Sequence, residues 1–217
     1  TGKEEPHRKT APTASGSHVI GLLVPGTGLG EAFMIDHRVM ASEGGHRDLA
    51  PRTKQQSELW EFLHGQYGHV SYERVLSGSG LCTLVRFLMR QQQITQVDFP
   101  LLPEEITKRA RAGGDGICTQ AVKLFVDILG AEAGNLALAT MALDGVYLGG
   151  GIIRALLPWM GDGPLLDAFA DKGRFASLMK TIPVYAVLDT RAALLGSARM
   201  AANEAGFVGG FALYPKE

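Results

Sequence analysis

Three short stretches and one carboxylate combine residue types that can do chemistry. The first stretch is Glu43-Gly44-Gly45-His46, with Asp48 two residues further on. Paired glycines allow a tight turn from which a carboxylate and an imidazole project together. A carboxylate accepts hydrogen bonds from two neighbouring hydroxyls, and histidine donates or accepts, so this pair suits recognition of a polyol. It does not suit a metal, because the helical HExxH spacing and a nearby cysteine are both missing. Alone, the stretch also reads as a surface turn with an incidental histidine. The single carboxylate is Glu73 in VSYERVLSGSGL. A glutamate near a helix start favours the macrodipole in any case, so only its company makes it a candidate.

The other two stretches are rich in glycine. Pro25-Gly26-Thr27-Gly28-Leu29-Gly30 follows an apolar run. Glycines let the backbone approach an anion, and successive N–H groups can form a phosphate nest. A dinucleotide-binding fingerprint is excluded, since that motif must open a helix, whereas residues 31–41 read as two strands around a turn. A hairpin holding a phosphate fits, as does a plain glycine turn. Gly149-Gly150-Gly151 stands between a strand and a helix, where it leaves room for a flat ring or a phosphate. It equally fits a bare strand-to-helix turn. His7, His18, His37, His64 and His69 show no ligand or triad spacing, and no GxSxG elbow is present.

The elements that must hold these residues follow from apolar patterning. Strands are expected at 19–24, 31–35 and 38–41, with Asp36-His37 as a tight turn, making a β-meander. Helical signals then dominate. They cover 57–64, a short helix over 72–76 capped by Ser71, a helix from Ser79 as cap to Met89, and 104–112 ended by Gly113-Gly114. Asp115 reads as the cap of a long helix to about Thr140. Gly130 and Gly134, four apart on one face, indicate close helix packing. Asp127 and Glu132 interrupt that run and exclude a membrane GxxxG. Strands at 145–148 and 183–188 alternate with helices over 152–157, from Asp162 to Ala170, and over 192–204. A meander followed by helices and strand–helix units indicates a layered α/β fold.

Length and composition narrow the function. The 217 residues suit one sizeable domain or two small ones. A hydrophobic share of 46% beside 20% charged residues describes an ordinary soluble chain. A formal net charge of −1 and no long basic run argue against nucleic acid or anionic lipid as partner. The apolar runs fall short of the roughly 20 residues that span a bilayer. Two widely spaced cysteines, Cys82 and Cys118, form neither a zinc pattern nor a disulfide framework, so a reducing cytoplasm is expected. The polar stretch over residues 1–18 reads as a linker or loop.

Together the motifs resemble the bacterial glucokinases of the sugar-kinase, heat-shock protein 70 and actin superfamily. The stretches that carry the resemblance are VPGTGLGEA, SEGGHRDLAP, GHVSYERVLSGSGL, GNLAL, VYLGGGI, DKGRF, IPVY and LLGSA. They occur in family order and span nearly the whole chain after residue 18. The resemblance implies an actin-like ATPase (ribonuclease H-like) large lobe over 19–217. It implies ATP-dependent phosphorylation of the glucose 6-hydroxyl with Mg²⁺, the first step of glycolysis, in a cytoplasmic homodimer. Glu43, His46 and Glu73 look like the glucose ligands. Gly26, Thr27, Gly28 and Gly30 look like the second phosphate loop, and Gly149, Gly150 and Gly151 like the adenosine motif.

The chain also departs from the family pattern. It contains no Asp-x-Gly-Gly-Thr phosphate loop and no Asn-Asp pair, whose aspartate would take the 6-hydroxyl proton. The resemblance places both in a small lobe preceding Thr1, so this chain by itself is expected to be inactive. The zinc-binding cysteines of the related repressor–kinase group are missing after His46, and Ser42 stands where the family commonly has glycine. The alternatives are a non-catalytic sugar or nucleotide sensor and an isolated structural domain.

Overall fold

A meander with glycine at its first turn and two positive-φ residues at its second is what the N-terminal sequence builds. The computed structural model describes residues 18–113, 116–161 and 163–204. In it β1 (Val19–Pro25), β2 (Leu29–Ile35) and β3 (Arg38–Ser42) pair antiparallel in sequence. Asp36 and His37 join β2 to β3 with φ of 46° and 69°, the two left-handed positions that a right-twisted two-residue hairpin demands. Two short strands, β4 (Val146–Leu148) and β5 (Val184–Ala186), add in parallel beyond β1. The sheet order is β3-β2-β1-β4-β5. Tyr147 and Tyr185 stack across β4 and β5 with centroids 4.8 Å apart.

Helices cover this sheet: α1 (Lys54–Tyr67), α2 (Gly78–Gln91), α3 (Pro103–Ala112), α4 (Gly116–Thr140), α5 (Gly151–Leu156), α6 (Pro164–Ala170), α7 (Ala176–Met179) and α8 (Ala192–Glu204). The hub is α4, which packs on β1, α2, α3 and α6. It is apolar on nearly every face because it is buried on nearly every face. Three glycines set how closely it approaches its neighbours. A Cβ at Gly21 in β1 would stand 3.0 Å from Leu136 Cδ2, one at Gly134 would stand 2.5 Å from the Phe169 carbonyl oxygen, and one at Gly130 would collide with the Leu165 carbonyl. The close packing expected of Gly130 and Gly134 is therefore backbone contact with α6. Among the described residues no helix is long and apolar enough to cross a membrane, and Cys82 and Cys118 are buried thiols.

Several element boundaries differ from the sequence expectation, each for a local reason. α1 begins three residues before Ser57, because the Thr53 hydroxyl accepts from the Gln56 N–H at 3.2 Å. α2 begins at Gly78 with Ser77 as its cap, accepting from the Gly80 N–H at 3.1 Å, so Ser79 lies inside the helix. Ser71 caps nothing with its side chain, and residues 72–74 form a single 3-10 turn. Gly145, at φ 128°, stands outside β4. α5 starts at Gly151, and β5 is limited to three residues. The proposed caps Asp115 and Asp162, and residues 1–17 of the expected linker, lie outside the described residues.

Two glycine substitutions separate packing from propensity. Gly130→Ala forces α4 from α6 and is expected to cost about 1–3 kcal/mol. Gly65→Ala, inside α1 with open space around its Cα, is expected to gain roughly 0.5–1 kcal/mol. Urea unfolding of both variants measures the contrast; equal effects would contradict the α4–α6 contact.

Candidate functional site

Two segments distant in sequence meet in a short antiparallel clip. Asp48 bridges Ser71, the Leu49 N–H donates to the Val70 carbonyl at 2.8 Å, and the Tyr72 N–H donates to the Arg47 carbonyl at 3.1 Å. This clip delivers Glu73 to the 3-10 turn Gly44–His46. His46 Nε2 then stands 3.9 Å from Glu43 Oε2 and 3.9 Å from Glu73 Oε1. The Glu43 side chain is 92% exposed, His46 60% and Glu73 33%, so the three groups form an open, solvent-facing cluster. Asp48 is not part of it, because its carboxylate pairs with His69 Nε2 at 2.9 Å.

The paired glycines of the turn are required by space. A Cβ at Gly44 would overlap the Glu31 carboxylate, and one at Gly45 the Leu29 carbonyl, so the turn lies flat on the start of β2. Ser42 contributes here, accepting from the Gly44 N–H at 2.9 Å. In the hairpin, the Gly26 N–H donates to Gly28 O and the Gly26 carbonyl accepts from the Gly78 N–H, both at 2.8 Å. A Cβ at Gly28 would overlap the Glu73 carboxylate, whose Oε2 accepts from the Leu29 N–H at 2.9 Å. Gly28 thus makes room for Glu73. Gly26 has open space around it and Thr27 is exposed, while Gly30 is in ordinary contact with Val24.

The second glycine turn abuts the first. The Gly149 N–H donates to the Leu23 carbonyl at 2.8 Å, and Gly150, at φ 96°, has its Cα folded onto Pro25, where a Cβ would lie 2.8 Å from the carbonyl oxygen. Gly151 opens α5. Both glycine motifs therefore emerge from the carboxyl ends of the parallel strands β1 and β4, where ligands gather in open α/β sheets.

Beneath the exposed cluster lies a buried ionic network. Arg47 Nη2 donates to Glu31 Oε2 at 2.9 Å and to Glu132 Oε1, while Arg47 Nε donates to the Gly44 carbonyl at 3.2 Å. Asn135 Nδ2 donates to Glu132 Oε2 and to the Tyr72 phenol oxygen, both at 2.9 Å. Lys172 Nζ donates to Asn135 Oδ1 at 2.7 Å and to the Ala131 carbonyl at 2.9 Å. The Glu31 and Glu132 side chains are fully buried. Burial, and then the neighbouring Glu132 charge, pushes the Glu31 carboxyl up to about 7 against the pull of Arg47. Burial lifts the Tyr72 phenol above its ordinary range, with Glu132 adding to the shift, and lowers the Lys172 ammonium.

No spacing in the sequence links Arg47, Glu31, Glu132, Asn135 and Lys172 as a unit. The available signal was Glu132 itself, a carboxylate inside an apolar helix that cannot stay buried without partners. Among the described residues no group of three or more His, Cys, Asp or Glu side chains could hold a metal ion.

A family model described as Glucokinase matches residues 6–204. The chain is 39% identical over 183 residues to the glucokinase of Chromobacterium violaceum, covering 82% of this chain and 52% of that protein. Its fold superposes on a glucokinase from an Antarctic psychrotroph with TM-score 0.79 and 31% identity, covering 89% of this chain and 61% of the other. A glucokinase of the ROK family from Streptomyces griseus, solved with glucose and AMPPNP, shares the fold at TM-score 0.60 and 20% identity, covering 86% and 61%. The chain spans between half and two thirds of the length of these proteins. The α/β architecture expected from the sequence, that of an actin-like ATPase, is the one these neighbours share.

The network gives two measurable consequences. Arg47→Ala leaves two buried carboxylates without their guanidinium, a loss of about 3–5 kcal/mol for a buried pair, here toward the lower end because Arg47 is itself half exposed. Glu31 ionises near 7 in the fold and near its ordinary carboxyl value when unfolded. Its neutral form thus favours the fold at low pH, and that contribution is lost as pH rises from about 4.5 through 7. Thermal melts at pH 5 and pH 8 are expected to show a larger loss in the native chain than in Glu31→Gln; equal losses would contradict the assignment.

Proposed function

The chain belongs to the glucokinase family, and we propose that it holds the sugar and part of the nucleotide in ATP-dependent phosphorylation of glucose. The observation that carries this reading is the convergence of His46 with Glu43 and Glu73. Two carboxylates and an imidazole on an open surface can bind adjacent hydroxyls, each hydrogen bond to a charged group being worth roughly 1.5–3 kcal/mol. The clip through Asp48 and Ser71, and Arg47 held on the buried Glu31 and Glu132, fix this geometry before any sugar arrives.

ATP fits the other half of the surface. The open backbone at Gly26 and the exposed Thr27 hydroxyl can meet phosphate oxygens. The Gly149–Gly151 turn carries no side chains and is exposed at Gly151, where the adenosine can lie. Bound ATP would supply the transferable phosphoryl group. Mg²⁺ would enter with the nucleotide, held by its phosphates and at most one or two carboxylates, and would neutralise charge on the phosphates. Phosphoryl transfer depends mostly on positioning and charge neutralisation, and Glu43, His46 and Glu73 provide the positioning of the sugar. The proton of the 6-hydroxyl needs a base, worth typically ~10²–10⁴-fold, and the 217 residues hold no Asn-Asp pair to supply it. The reading includes cytoplasmic glycolysis and a homodimer as the setting of the whole protein.

Isothermal titration calorimetry with glucose tests this. The chain is expected to bind glucose, and Glu73→Gln and His46→Ala are each expected to weaken binding about tenfold or more. A coupled assay is expected to find no ATP-dependent glucose 6-phosphate from this chain alone. No glucose heat, or equal affinity in the variants, would refute the sugar site; turnover by the chain alone would refute the need for an outside base.

A further inference from the structure

Beside Glu73 lies a cavity of about 260 Å³ between the 25–29 hairpin and the first turns of α2, and His46 is not among its lining residues. Its wall carries two arginines, Arg74 and Arg86, with Ser79 and Thr27, while the buried Thr83 hydroxyl donates to the Ser79 carbonyl at 3.0 Å. Among the described residues neither arginine forms an ion pair. Arg74 lies over the Tyr67 ring at 4.1 Å from its centroid, a stacking that orients the planar fork. Arg86 stands near the buried Cys82, where burial raises the thiol while the Arg86 charge opposes that rise.

Among the described residues the only carboxylate lining the cavity is Glu73, and its oxygens are engaged elsewhere, one by the Leu29 N–H and the other toward His46. Glu104, at the start of α3, is a carboxylate outside that lining whose field reaches Cys82. Two cations against one engaged carboxylate leave the wall positive, and the N-terminal end of the 14-residue α2 adds to that sign. Paired guanidiniums, with the hydroxyls of Ser79 and Thr27 beside them, match the tetrahedral oxygens of phosphate. The volume is below the roughly 300–1,000 Å³ of pockets that engulf a drug-sized ligand, which suits a compact anion and not a whole nucleotide.

We infer that this cavity is an oxyanion subsite for inorganic phosphate or the phosphate of a monoester, set apart from the Gly149–Gly151 turn and sharing only Thr27 with the surface proposed for the ATP phosphates. It stands on its own wall and does not require the sugar reading, although both share Glu73. Phosphate at the subsite and sugar at His46 would then influence each other's affinity reciprocally.

Calorimetric titration of the chain with inorganic phosphate, against sodium chloride of matched ionic strength, tests the inference. Phosphate is expected to bind, and Arg74→Gln and Arg86→Gln are each expected to weaken it about tenfold or more with unchanged Tm, both positions being exposed. No phosphate binding, or unchanged affinity in both variants, would overturn it. Competition then distinguishes the sources. Displacement by glucose 6-phosphate identifies a monoester as occupant, and no displacement identifies the free anion. Displacement by ATP alone would overturn the inference, because the arginines would then serve the nucleotide. Glucose titrated into the same variants keeps this result apart from the sugar site: loss of phosphate binding with intact glucose binding bears on the subsite alone.

Discussion

The Arg47 guanidinium, held between two carboxylates that see no solvent, is the interaction on which the site's geometry depends. Glu31 comes from β2, Glu132 from the middle of α4, and Arg47 from the loop that follows the Gly44–His46 turn. Burying two carboxylates against one guanidinium is unfavourable unless further donors and a proton complete the balance. Asn135 completes one carboxylate, and the raised Glu31 pKa makes protonation accessible near neutrality. The same guanidinium also holds the Gly44 carbonyl. Displacing Arg47 would therefore move the backbone that carries His46.

The network lies directly below the exposed cluster, and that placement explains the glycines. Gly44 is small because the Glu31 carboxylate occupies the space a side chain would need, and Gly28 is small because Glu73 does. In the sequence Gly28 looks like a ligand-facing glycine and Gly44 like part of a tight turn. In the fold they make room for carboxylates of the protein itself. Gly150 differs, since its positive φ and its contact with Pro25 join the two glycine turns at the carboxyl ends of β1 and β4. A surface with acids and an imidazole on one side and bare backbone on the other suits a polyol beside a phosphate donor.

Much of the fold was legible because its signals are local. The meander follows from apolar alternation and the Asp36-His37 turn, and the α4–α6 packing follows from the spacing of Gly130 and Gly134. Cap choice was less legible: Ser77 and Ser79 are both plausible caps, and only the Gly80 N–H decides between them. The cluster of Glu43, His46 and Glu73 was visible through family-like motifs, while the clip through Asp48 and Ser71 that assembles it depends on pairing between the two ends of the α1 segment. The ionic network was hidden for a similar reason. Its members come from β2, two loops and α4, and no spacing in the chain links Arg47 to Glu132.

Hydrogen exchange with and without glucose examines the link between the buried network and the exposed cluster most directly. Glucose is expected to slow amide exchange at residues 43–47 and 71–75 together, since the clip and Arg47 make them one unit, and Arg47→Ala is expected to abolish that joint protection. Protection confined to one of the two segments, or undiminished protection in Arg47→Ala, would contradict the dependence of the sugar site on Arg47.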